Sequence, residues 1–303
     1  MNYKQTDQQI VRNILKAATF LLFAGRAWQH LFWDAPFRTL FWDQQIMEGI
    51  VLFLGGGSWQ EYVTSENTDR FIQMITFGFG VFYSLMAMLT LLVPGRLKSV
   101  KWLYIIGSVS LSFLAVLYCK EKFYHAGQFF EYTIQFLLPL FFIYSIAHKA
   151  DLSKLNLVLK IAIALTFTAH GLYATGIYPQ PGVFVDMVIH ILHVEEPFSK
   201  SFLRVAGVLD FLLSIAIFIP RVSRYALIYA LIWGGLTALA RTWANFYWDF
   251  PLASLHQNLY ETVYRLPHMF VPMAALLISY PNVAVIRLQF RISEGFKVFK
   301  TTK

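Results

Sequence analysis

At 303 residues, the chain is 57% hydrophobic and only 14% charged, where an ordinary soluble domain carries about 25% charged residues. That balance excludes a soluble globular domain and reads as a polytopic membrane protein. The net charge of +8 is no nucleic-acid signature, because the basic residues fall in short linkers rather than in an aromatic-interleaved patch, and the lone Cys119 excludes an internal disulfide or a CxxC relay.

The opening MNYKQTDQQIVRNILK runs into an apolar stretch without a small-residue cleavage site, which predicts a retained first helix. A bilayer core takes about 20 apolar residues per helix. Runs of that kind lie at 13–33, 70–93, 101–118, 127–148, 156–177, 202–220, 224–241 and 258–281, so the expected fold is an all-α integral membrane protein with eight transmembrane helices. After the first run, residues 36–54 place Phe37, Leu40, Phe41, Met47 and Val51 near helical spacing, and 182–194 are similar after the fifth. Both read as amphipathic helices lying in the outer interface, the first ended by GGGS at 55–58.

The linkers alternate in charge. One set holds Lys4, Arg12 and Lys16; Arg96, Lys98 and Lys101; Lys149, Lys154 and Lys160; Arg221 and Arg224; and the tail Arg287, Arg291, Lys297, Lys300 and Lys303. The other holds Asp34, Asp43, Glu48, Glu61, Glu66 and Asp69; Glu121; Asp186, Glu195 and Glu196; and Asp249. Basic residues are retained on the cytoplasmic side, so both termini are expected to face the cytoplasm of a bacterial-type inner membrane. Trp28, Trp33, Trp42, Trp59, Trp243, Tyr247 and Trp248 cluster at span ends, as an interfacial aromatic belt does.

The chain also repeats itself. FAGRAWQHLFWDAP is echoed by FTAHGLYATGIYPQP, setting Arg26 opposite His170, and FRTLFWDQQIM by PGVFVDMVIHI, setting Asp43 opposite Asp186. GFGVFYSLMAMLTLLVPGR corresponds to VAGVLDFLLSIAIFIPRVSR, and GQFFEYTIQFLLPLF to HQNLYETVYRLPHMF, with Glu131 opposite Glu261 and Gln135 opposite Arg265. Matches kept in order signal a duplicated unit: a first repeat over 1–150 and a second, with the basic tail, over 151–303. Four spans per unit is an even number, so the two four-helix repeats should insert parallel, unlike inverted transporter repeats.

HGLYATGIYPQPGVFVDM and FLRVAGVLDFLLSIAIFIPR carry a resemblance to the DoxX-like family of small four-helix membrane proteins, here as a tandem pair; the first half diverges, with Arg26 where the second has His170. The family's relatives include the DoxD-type subunit of thiosulfate:quinone oxidoreductase and membrane partners of redox enzymes. The broader four-helix group is similar to the sterol-isomerase (EXPERA) domain, which uses acid and base residues inside the bundle. The resemblance implies a four-helix fold and a redox-associated membrane role, and assigns no catalytic residue.

Charges at membrane depth are costly, about 2.5–3.5 kcal/mol each on insertion scales, and usually face a bundle interior or a wet cavity. Arg26 and His30, four apart, share a face of the first helix; Glu131 and Gln135 share one on the fourth; Glu261, Arg265 and His268 form a stripe on the eighth. His170 lies on the fifth span, Asp210 near the middle of the sixth and Arg241 at the outer end of the seventh. The expected topology gathers nearly all of them toward the outer leaflet, with each half supplying its own lining: Arg26 with Glu131, and His170 with Glu261. Two readings stand. Glu261 with Arg265, or Arg26 with Glu131, form ion pairs that fix packing; or the set binds the polar head of a quinone, isoprenoid or other lipid whose body lies on the aromatic wall, with His and Glu moving protons. Asp210 needs a proton or a partner and fits a structural hydrogen bond as well as a functional role. Asp186, His190 and His193 have metal-ligand spacing, but with no fourth ligand they read better as the polar face of an interfacial helix. Pro139, Pro267 and Pro272 are expected to kink the last helix of each unit near the glutamates.

The chain contains no GxGxxG, no CxxCH and no cysteine cluster, so no intrinsic cofactor is expected and any electron carrier is a substrate, such as a quinone, or a partner's. Three functions remain open. The first is a redox-associated component binding a quinone or similar lipid. The second is a non-catalytic membrane subunit or assembly factor of a larger envelope complex, with a membrane or periplasmic protein partner. The third is a lipid isomerase or small-molecule carrier.

Overall fold

The computed structural model describes residues 3–92, 100–147 and 150–281. Of the basic positions above, Arg96, Lys98, Lys149 and the tail from Arg287 to Lys303 lie outside the described residues, as does the side chain of Lys4. Among the described residues every regular element is α-helical: α1 (Tyr3–Phe32), α2 (Arg38–Phe41), α3 (Gln44–Phe53), α4 (Trp59–Thr64), α5 (Glu66–Leu92), α6 (Lys101–Glu121), α7 (Ala126–Glu131), α8 (Thr133–Ser145), α9 (Leu152–Ala174), α10 (Gly182–Leu192), α11 (Glu196–Ala216), α12 (Ser223–Ala244), α13 (Pro251–Arg265) and α14 (Pro267–Ser279).

Among the described residues five stretches are long and apolar enough to cross a membrane: α5, α6, α7 with α8, α9 and α12. The other three expected spans are helical but more polar or broken. α1 carries Arg26, Gln29 and His30, and α11 carries Glu196, Lys200, Arg204 and Asp210. The last is split at Leu266, directly before Pro267, whose missing N–H cannot bond the preceding turn. The fourth span breaks at Tyr132, seven residues before Pro139, which stays inside α8. Much of the outer surface of these helices is apolar, with Leu85, Met88, Trp102, Val109, Leu212, Ile215 and Leu236 all exposed, as a bundle solvated by lipid requires.

Inside, α1 packs on α5, α8, α13 and α14, while α9 packs on α11, α14, α7 and α8; α6 lies on α8 as α12 lies on α14. Among the described residues the larger buried core runs through both halves, joining Leu15, Leu22 and Phe23 to Leu138, Leu159, Phe167 and Val271, and a smaller one joins Val185 and Val188 to Leu203. At one end of the bundle Trp28 and Trp33 meet His256, His125 stacks on Tyr178 with ring centroids 4.5 Å apart, and Arg38 bonds Asp69 at 2.7 Å. Toward the opposite end Lys16 reaches the Leu91 carbonyl, Lys160 bonds Ser223 and Asn156 bonds Ser279.

The segment expected as one interfacial helix over 36–54 is two. Asp43 accepts the Ile46 N–H at 3.0 Å and restarts the chain as α3, and Phe37 is buried against His30 instead of lying on the surface. Gly55 and Gly57, at φ +73° and +78°, end α3 as the GGGS run implies. They lead into α4, which opens on a Ser58–Glu61 capping box. Asp43 also pairs with Lys120 at the end of α6. That hydrogen bond, then the one from Ile46, holds the Asp43 carboxyl below the usual carboxylate range. The stabilisation is therefore present at neutral pH and is lost as the pH falls through the lowered value. Thermal melting followed against pH should show an acid limb that flattens in Asp43→Asn.

Candidate functional site

The break after α7 leaves Glu131 buried at the centre of the bundle. Its Oε1 accepts from Arg265 Nη1 at 3.1 Å, and its Oε2 accepts from Gln128 Nε2 at 3.2 Å. His170 Nε2 stands 3.4 Å from the same Oε1, within ion-pair distance but without hydrogen-bond geometry. Arg265 belongs to α13 and His170 to α9, so the carboxylate of the first half is neutralised by the second. The expected within-half pairings are not what the structure shows. His170 faces Glu131 rather than Glu261, and Glu261 bonds Arg241 at 3.2 Å rather than Arg265 one turn on. The physical reason is the packing: α9 lies against α7 and α8, and α13 against α12.

Arg26, almost wholly buried, has no carboxylate partner among the described residues. It donates to Gln135 at 2.6 Å and Gln29 at 2.7 Å, and its guanidinium lies 4.0 Å from the Tyr264 ring centroid, with Tyr118 and Tyr132 at 5.6 and 5.3 Å. Neutral dipoles and ring faces thus carry the solvation that an acid was expected to supply. His30 Nδ1 donates to the Arg26 carbonyl at 2.7 Å; because a carbonyl only accepts, Nδ1 holds the proton. His268 repeats this arrangement, its Nδ1 donating to the Arg265 carbonyl at 2.8 Å. The rings of His268 and His170 stack at 5.7 Å.

Beside this polar layer, in the second half, lies a cavity of about 500 Å³ between α9, α10, α11 and α12. Its walls are largely apolar, with Phe184, Val188, Phe202, Leu203 and Trp233 among them, and His170, His268, Arg241 and Arg265 line its polar side. Asp210 lies in the wall, buried, with Oδ1 lacking a hydrogen-bond partner. The Nε2 of His268 is likewise buried without one. Of the expected site residues, His170, Asp210, Arg265 and His268 share this cavity, Glu131 stands directly behind His170 and Arg265, and Glu261 reaches it through Arg241. Arg26, His30 and Gln135 do not line it. The tyrosines around Arg26 and the contribution of α10 to the cavity wall were missed in the sequence, since neither gives a local periodic signal.

Asp186 and His190 lie on α10, and His193 is its left-handed C-cap at φ +54°. Among the described residues no three His, Cys, Asp or Glu side chains are grouped to hold a metal ion. Comparison of the chain with protein-family models, with curated proteins and with solved structures finds no match in any of the three.

Proposed function

We propose that the chain is a DoxX-like inner-membrane protein whose two four-helix units, 1–150 and 151–303, stand parallel in the bilayer with both termini cytoplasmic. In this reading it is a redox-associated component that binds a quinone or similar lipid in an outer-leaflet pocket of the second unit. The observation that carries it is the cavity of about 500 Å³, apolar along its walls and lined on one side by two imidazoles and two guanidiniums. That is the shape of a site for a ring-bearing head on a greasy body.

The packing supports the duplicated plan. α1 on α5 is matched by α9 on α11, α6 on α8 by α12 on α14, and α1 on α13–α14 by α9 on α7–α8. Charge supports the orientation. Arg221 in the α11–α12 linker and Lys101, Lys154, Lys160 and Arg224 in the opening turns of α6, α9 and α12 fall at one end, while at the acidic end Arg38, Arg70, Lys120 and Lys200 are each paired with a carboxylate. All eight spans are assigned to the bilayer here: α1 is covered by α5, α8, α13 and α14, α13 and α14 pack on α1 and α12, and α11 turns Leu212 and Ile215 outward. The broken α2–α3 segment and α10 are assigned to the outer interface.

Gentle purification followed by lipid extraction and mass spectrometry tests the reading. A quinone-type lipid should be retained by the wild type and depleted in Glu261→Gln, which releases Arg241 at the cavity. An extract matching the bulk phospholipid would overturn it. A second reading, a non-catalytic subunit or assembly factor of an envelope complex, is favoured by the apolar tips: Phe53 and Leu54 at the end of α3, and Trp248, Phe250 and Leu252 at the α12–α13 corner, are among the most exposed apolar residues. Co-purification of a stoichiometric membrane or periplasmic protein without retained quinone would select it.

A further inference from the structure

The two halves differ most where they should match. With Arg26 set opposite His170, His30 corresponds to Ala174. Gly80 of α5 and Gly207 of α11 correspond in turn: a Cβ on Gly80 would lie 2.8 Å from the Leu31 side chain, and one on Gly207 would lie 2.7 Å from that of Thr175. Three positions on from these glycines stand Tyr83 and Asp210. In the first unit Tyr83 is fully buried, its ring edge-on to His30 at 5.1 Å. In the second, Asp210 and Ala174 line the cavity. One unit is filled where the other is open, so a route inward belongs to the second unit alone.

The exposure of the lining locates that route. α10 packs on both α11 and α12 and is pinned by Ser199, whose Oγ donates to the Val185 carbonyl at 3.0 Å, so it roofs the cavity. The cavity residues that stand exposed are Leu192, Leu236, Leu239 and Trp243, an apolar mouth along the outer side of α12 beneath that roof. Farther along, α11 leans on α9 and α12 on α14, and a groove of about 250 Å³ runs between α11 and α12. Leu209, Leu213, Ala216, Ala226 and Tyr229 are among its lining, which carries no charged side chain. Asp210 of the cavity and Leu213 of the groove are one turn apart on α11. Trp233 of the cavity and Tyr229 of the groove are one turn apart on α12, their rings stacked at 6.3 Å. Cavity and groove are thus successive stretches of one seam, and the apolar stretch follows α11 for about 10 Å from Leu209 to Ala216.

We infer that the α11–α12 seam admits the ligand sideways from the lipid and holds its hydrocarbon tail. The site then takes a single-tailed ring lipid, its ring in the cavity under α10 and its tail in the groove toward the cytoplasmic end. This rests on the lipid-binding reading proposed above and adds to it an entry route and a tail subsite. One groove suits one chain, which separates this occupant from the two-chained phospholipids around it. Lipid tails are as apolar as the groove, so the tail gains packing contacts there and no hydrophobic transfer energy.

The test photolyses the full chain in nanodiscs with a benzoquinone that bears a long alkyl tail and a diazirine midway along it. Label should map to residues 209–216 and 222–229 and disappear under excess unlabelled long-tailed quinone, while α5 and α6 of the filled unit take none that can be competed away. Competable label confined to other helices, α10 included, would overturn the seam and keep the lipid-binding reading. Label spread over α5, α6, α11 and α12 alike and indifferent to competitor is bulk-lipid contact and would remove both. Ala216→Trp fills the groove away from the cavity. It should weaken the long-tailed quinone about fivefold, the scale of lost packing contacts, and leave the tailless ring unchanged, which also reports an intact cavity. Undiminished affinity for the long-tailed quinone in that variant would overturn the tail subsite, and the mapping itself needs no variant.

Discussion

Glu131→Gln is expected to destabilise the bundle by about 3–5 kcal/mol, the cost of removing one partner from a buried ion pair. Glu131 Oε1 is the described carboxylate atom that meets Arg265, at 3.1 Å, and both side chains are nearly closed to solvent. Glutamine keeps the shape and one oxygen but no charge, so the Arg265 guanidinium would stay buried without a counter-charge and His170 would lose its acid. Because α9 and α13 converge on this one side chain of α7, the loss falls on the seam between halves rather than on either half alone. Unfolding in mixed detergent should show the full drop for Glu131→Gln and for Arg265→Met singly. The double variant should be less destabilised than the sum of the two, since the second change removes the charge that the first one stranded. Additive losses would mean that the two groups are solvated independently.

That seam also marks where the sequence stopped being informative. Helix placement was legible because each apolar run exceeds or approaches bilayer length, and the ends came close: 101–118 against α6 at Lys101–Glu121, and 224–241 against α12 at Ser223–Ala244. Residues that meet on one helix were legible too, as with Arg26 and His30 one turn apart, or Arg265 and His268, whose backbone-to-ring bonds follow from helical spacing. Pairings between helices were not. Nothing local says that Glu131 looks across to α13 and α9 while Glu261 looks to α12, because which neighbour a buried charge finds is set by the rotation of packed helices. The stranded Arg26 makes the same point: composition implies a carboxylate, and the fold supplies two amides and three tyrosine rings instead. The cavity was illegible for a third reason. It arises from what is missing at Ala174 and Asp210, and small residues in an apolar run look like close packing until the neighbouring helices are in place.

Close packing does govern the opposite wall of that cavity, and the second large effect is expected there. A Cβ at Gly234 of α12 would stand 2.3 Å from the carbonyl oxygen of His268 and 2.8 Å from its carbonyl carbon. The obstacle is backbone, so no rotamer change relieves it, and α14 must move away from α12. Small residues permit such approach between membrane helices, and overpacking a filled contact costs about 1–3 kcal/mol. Gly234→Ala should therefore lower the melting temperature clearly. It should also displace His268 and so reduce lipid retention, even though position 234 adds only a methyl group to the cavity wall. The adjacent Gly235→Ala is the control: its Cβ would meet the Met269 sulfur at 3.1 Å, the end of a flexible side chain that yields. Gly78→Ala, where nothing lies within 4 Å, should be neutral or mildly stabilising through helix propensity. An order of Gly234 well below Gly235, with Gly78 unaffected, would show that the α12–α14 crossing positions His268; equal effects at all three would assign the loss to helix propensity and detach the imidazole from that contact.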